Sequence, residues 1–142
     1  MLCPIAKWSI LKMKDSKSQA SRWLRQAEYD LKEAEKCLSG KSFSYACFFA
    51  EQAAQKSLKG YLIAQGARFV NIHAIGELLK EAAKSDSKFS TLIPLGQKLD
   101  RYYLSSRYPD ALPDPAIPAE SYGEDEAQEA VDIAKKIFAE VR

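Results

Sequence analysis

The chain is predicted to be all-α, an up-and-down four-helix bundle with a short additional helix between the second and fourth helices. Two observations carry this expectation. Apolar residues recur at 3.6-residue spacing through five segments, and essentially no stretch alternates with the two-residue period of a half-buried strand. Residues that stop helices, chiefly Gly40, Gly66 and Pro109, fall at or near the ends of those segments.

The first helix is expected from Ser18 or Ser21, either of which can cap it, to about Leu38. Its stripe is Ala20, Trp23, Leu24, Ala27, Leu31, Ala34 and Leu38. Ser39-Gly40-Lys41 supplies a tight break, with Gly40 suited to a left-handed position just beyond the helix. A connection that short makes the first two helices antiparallel neighbours. The second helix runs from Ser42 or Ser44 to near Gly66 and is apolar or aromatic on both sides. Cys47, Ala50, Ala54, Leu58 and Tyr61 share one side; Tyr45, Phe48, Phe49, Gln52, Lys56, Lys59 and Ile63 share the other. Such a helix belongs inside a bundle. The third helix, about Ala74 to Ser85, turns Ile75, Leu78, Leu79 and Ala82 inward. A fourth starts near Thr91 or Pro94 and ends near Ser106–Arg107, because Pro109 pushes Tyr108 out of the helical region. The loop from Tyr108 to Tyr122 holds four of the six prolines. Glu124–Arg142 closes the chain as its cleanest amphipathic helix.

At 142 residues, 46% hydrophobic and 28% charged, the composition is that of one soluble globular domain. Residues 1–17 read as an extension, flexible in character and with Met13 as a second candidate start, and residues 18–142 as the domain. Net charge of +2 argues against a general polyanion binder, so any nucleotide contact must come from a local cluster. Three cysteines without CxxC spacing and a single histidine do not make a zinc site, and reduced thiols fit a cytoplasmic protein. No apolar run is long enough to span a membrane. There is no glycine-rich phosphate loop, HExxH or nucleophile elbow, so no metal or cofactor is expected.

Two groups carry candidate chemistry. Gln52, Lys56 and Lys59 line one face of the second helix. Either the lysines snorkel over Tyr45 and Phe49, or they line a cleft or interface suited to phosphate or carboxylate. His73, just before the third helix, is either an N-terminal cap or a general base. The second group is RYYLSSRYPD, Arg101 to Asp110. Arg107 suits bidentate phosphate recognition and Tyr108 can stack on a base; alternatively Arg107 is a cation closing a helix C-terminus and pairing with Asp110.

Three elements together resemble the HEPN domain of prokaryotes and some higher eukaryotes. They are A-x-x-D-L-x-x-A (Ala27 to Ala34), F-F-A-E-Q-A-A-Q-K-S-L-K-G-Y-L (Phe48 to Leu62), and H-A-I-x-x-L-L (His73 to Leu79) followed by S-R-Y-P-D (Ser106 to Asp110). The resemblance covers about Ser18 to Arg142 and implies the same four-helix bundle. It also implies a homodimer, a minimal nucleotidyltransferase as partner in a toxin–antitoxin pair, and nucleotide or RNA binding. Many such toxins are metal-independent ribonucleases whose motif is an arginine, four to six residues, then a histidine. This chain departs from that motif: YYLSSR follows Arg101 and YPDALPDP follows Arg107, with no histidine in either. It is similar to the RYP-containing branch, where Arg107 keeps phosphate recognition. The expected site is therefore Arg107 and Tyr108, with Lys56, Gln52 and His73 lining the same cleft. The alternatives are a ribonuclease rearranged around His73 and Arg107, or a non-catalytic dimeric adaptor.

Overall fold

The computed structural model describes the backbone of residues 4–142 and the side chains of residues 15–142. Helix α1 (Pro4–Ser39) returns through a three-residue turn into α2 (Phe43–Ala64), and α3 (Ile75–Ala83) follows a loop. A 3-10 turn (Ser87–Leu92) leads into α4 (Ile93–Asp100), the one-turn α5 (Tyr102–Ser105), two short 3-10 turns, and α6 (Glu124–Val141). No strand occurs among the described residues. The bundle is all-α, as its 3.6-residue patterning requires.

Helix α1 passes straight through Ser18 and Ser21, so neither serine caps it. Pro4 is tolerated in a first turn, and no glycine or proline interrupts Ile5 to Ser39. Residues 4–17, expected as an extension, thus continue the first helix; residues 1–3 lie outside the described residues.

The turn after α1 corrects one expectation. The left-handed residue is Lys41, at φ 63°, and not Gly40. Ser42 N–H donates to Cys37 O at 2.8 Å and Lys41 N–H to Leu38 O at 3.1 Å. That bonding pattern makes Gly40 the last half-helical residue and moves the left-handed position one residue on. A Cβ at Gly40 would sit 3.3 Å from Lys36 O, so its smallness still eases the close approach. At the far end of α2 the same motif falls where glycine prefers it, with Gly66 at φ 105°.

Helix α2 is the axle of the fold. It packs most extensively on α1, next on α6, and also touches α3, α4, α5 and the Pro118–Glu120 turn. Cys47, Ala50, Ala54 and Leu58 are fully buried on one side, and Glu51, Gln55 and Lys59 are buried on another. Helix α3 bridges α2 and α4, as expected. Its contact with α4 is tight: a Cβ on Gly96 would lie 2.4 Å from Leu79 Cδ1 and 2.8 Å from Ile75 Cγ2. The expected fourth helix is split at Arg101. Beyond it, Tyr108 is extended (φ −119°, ψ 126°) as Pro109 demands. Tyr122 ties the loop back to α5 through an edge-on contact with Tyr102 (5.7 Å) and a 2.5 Å hydroxyl bond to Ser105.

Candidate functional site

Because neighbours surround α2, its polar side chains must find partners inside the bundle. The row begins at Glu51, which is 1% exposed. Gln52 Nε2 donates to Glu51 Oε2 at 2.8 Å, and Gln55 Nε2 donates to Oε1 at 2.7 Å. Burial raises the Glu51 carboxyl to about 7; the two amides and the Arg107 cation oppose that rise, and Asp100 adds to it. Glu51 is therefore an acid poised near neutrality in the middle of the molecule.

Two turns further along α2, Lys59 is buried and its ammonium lies 2.9 Å from His73 Nδ1. An ammonium can only donate, so Nδ1 accepts and the ring proton sits on Nε2. Burial lowers the basicity of Lys59, the Glu51 carboxylate raises it, and Lys56 lowers it again. Trp23 of α1 offers its ring 5.7 Å from the same ammonium. His73 is not the cap of α3. Asp100 of α4 takes that role, accepting from Ile75 N–H at 2.6 Å and Gly76 N–H at 3.1 Å. A carboxylate held at a helix N-terminus is favoured by the local dipole and satisfies two otherwise orphan donors.

Arg107 lies at the other end of the row. Its Nε and Nη2 donate to Tyr103 O at 3.2 and 2.9 Å, closing the C-terminal end of α5. Its guanidinium also lies over three rings, Phe48 at 4.5 Å, Tyr108 at 5.0 Å and Tyr103 at 5.3 Å. The expected Arg107–Asp110 pair is not formed among the described residues. Two of the five guanidinium N–H bonds are thus used, and three have no acceptor among the described residues. Tyr108 is 51% exposed beside it.

The five expected site residues are not gathered in one cleft. Arg107 and Tyr108 are together, with Phe48. Gln52 joins them indirectly through Glu51. Lys56 instead crosses to α1, where its ammonium meets Asp30 Oδ2 at 2.6 Å, and Gln26 donates to the other oxygen at 3.1 Å. Asp30 is only 4% exposed while Lys56 stays partly exposed, so this is a half-buried pair that fastens α1 to α2. His73 is anchored at Lys59, eleven residues from the Phe48 platform of Arg107, about 16 Å along the α2 axis. Neither lysine simply extends its head into water: the Lys56 ammonium pairs with buried Asp30, and the ammonium of buried Lys59 meets the exposed His73.

Glu51, Gln55 and Asp100 escaped the reading of the sequence. For Glu51 a signal was present: it stands four residues after Cys47 and three before Ala54, on a stripe otherwise apolar. For Asp100 none was, because its partners are backbone amides twenty-five and twenty-four residues earlier.

The fold and site define an all-α bundle with a buried carboxylate on its axial helix and, after α5, an arginine stacked over that helix's Phe48. The HEPN domain model matches residues 20–142, and the chain belongs to that family. Among solved structures, it is similar to TT1696 from Thermus thermophilus, at 38% identity and TM-score 0.81, covering 87% of this chain and 95% of that one. It is also similar to ST0689, an archaeal HEPN homologue, at 35% identity and TM-score 0.70, covering 86% and 93%. No match was found among curated proteins. No helix among the described residues is long and apolar enough to cross a membrane.

Proposed function

We propose that this HEPN protein is a homodimeric binding module that contacts a nucleotide or an RNA end through Arg107, beside a minimal nucleotidyltransferase in a toxin–antitoxin-type system. The supporting observation is the Arg107 guanidinium, braced by three rings and a carbonyl, with N–H bonds to spare and an exposed tyrosine at its side. A braced fork loses little freedom on gripping phosphate, and Tyr108 offers a base a stacking face. Tyr45, Tyr103 and Leu104 are exposed large apolar side chains on α2 and α5, the two helices that carry Phe48 and receive Arg107. Exposed apolar surface of this kind suits a second copy of the chain.

Calorimetry with mononucleotides and short RNA tests the reading. Arg107→Ala should weaken binding by about tenfold or more, the worth of a charge-assisted hydrogen bond, with helicity unchanged. Equal affinity in the variant removes Arg107 from the site. Light scattering should find a dimer, and a monomer at micromolar concentration would remove that part of the proposal. The separation between the anchors of His73 and Arg107 disfavours a rearranged ribonuclease within one chain. Metal-free RNA cleavage that disappears in His73→Ala would reinstate it. Failure of the wild type to bind any nucleotide or RNA would leave the adaptor reading.

A further inference from the structure

A second basic surface lies away from Arg107, on the outer side of α1. A groove of about 680 Å³ is lined there by Arg22, Arg25 and Lys56 together with the rings of Trp23 and Tyr29. Arg22, Arg25 and Tyr29 stand at i, i+3 and i+7, one exposed face of a helix, and Lys56 reaches in from α2. Neither arginine forms an ion pair among the described residues. Arg22 only touches an amide, Gln19, at 3.1 Å. No carboxylate lines the groove among the described residues, and Asp30, which holds Lys56, is also bonded to Gln26. The groove thus keeps two uncompensated guanidinium groups, in a chain whose whole net charge is +2. Tyr29 is 60% exposed next to them.

We infer that this groove is a separate ligand site for a phosphate–base unit, carried either by a free nucleotide or by a single nucleic-acid strand. Arg22 and Arg25 hold phosphate, and Tyr29 stacks the base. Cations interleaved with an exposed ring match that chemistry; a purely acidic peptide would satisfy the arginines and leave the ring unused. The site goes beyond the Arg107 reading and does not depend on it, since Arg107 does not line this groove.

The test titrates the full chain with AMP and with a fluorescein-labelled RNA of about 12 nucleotides, at salt from about 50 to 200 mM. Tyr29→Ala should weaken binding at least about 5-fold with the salt dependence unchanged. For the strand, Arg22→Gln with Arg25→Gln should flatten the log–log salt slope by about 1.4, two phosphates' worth. All three residues are exposed, so circular dichroism should stay constant. Calorimetry should resolve two binding events in the wild type, one at Arg107 and one in this groove; Arg107→Ala should weaken the first and leave the groove's event intact. Binding of the RNA without AMP identifies a strand as the source, and competition by AMP identifies a nucleotide. No binding of either at about 50 mM salt overturns the inference. So does binding of which no part depends on Arg22, Arg25 or Tyr29, loss of all binding in Arg107→Ala, or polyglutamate matching the RNA in affinity.

Discussion

Replacing Glu51 by glutamine should turn a pH-dependent protein into a flatter one. Burial raises the folded-state carboxyl to about 7, against an ordinary value of 4.5. The folded chain therefore keeps a proton that the unfolded chain releases between those two values, so stability falls as pH rises through the window. Below about pH 4.5 both states are protonated and nothing is lost; above about pH 7 both are ionised and the whole cost is felt. That cost is about 3 kcal/mol, most of which accrues between pH 5 and pH 8. Glutamine keeps the shape and an amide oxygen for Gln52 or Gln55, and it does not titrate. Urea unfolding of wild type and Glu51→Gln at half-unit steps from pH 5 to pH 8 provides the assay. Other carboxylates cancel in the difference, which should move by about 2–3 kcal/mol in favour of the variant as pH rises. A difference that stays constant across the range would refute a carboxyl buried in this way, and one that moves in favour of the wild type would mean that Arg107 and the two amides outweigh burial.

Three further outcomes follow from the packing. Asp100→Ala should cost about 1–2 kcal/mol by uncapping α3, seen as a lower urea midpoint and faster amide exchange at Ile75 and Gly76. Gly96→Ala should cost about 1–3 kcal/mol, because a methyl group there runs into the buried Leu79 and Ile75 side chains; thermal unfolding measures it. Lys41→Gly should stabilise by roughly 0.5–1 kcal/mol, since glycine adopts φ 63° freely, and an unchanged or lower midpoint would count against the left-handed turn.

Much of the fold was legible because it is local. The stripe from Ala20 to Leu38, the break at Ser39–Lys41, the end of α2 at Gly66 and the extended Tyr108 before Pro109 each depend on residues within a turn or two of one another. The misreadings have the same origin in reverse. Ser18 and Ser21 look like caps, yet a continuous helix through them leaves no exposed first turn to cap. Gly40 looks like the left-handed residue, yet the hydrogen-bond count from Cys37 to Ser42 places Lys41 there.

The site divides along the same line. By itself the sequence determined the helices, the mixed character of α2, the family to which the chain belongs, and the pairing of Arg107 with Tyr108. Periodicity and neighbouring residues specify all of these. Only the tertiary structure decided that Lys56 belongs to Asp30, that Lys59 belongs to His73, that Asp100 caps α3, and that Glu51 is the acid at the centre. Each of those facts rests on which helices meet and at what height. A charged side chain in a bundle takes whatever partner the neighbouring helix brings to its level, and spacing along one chain does not carry that information.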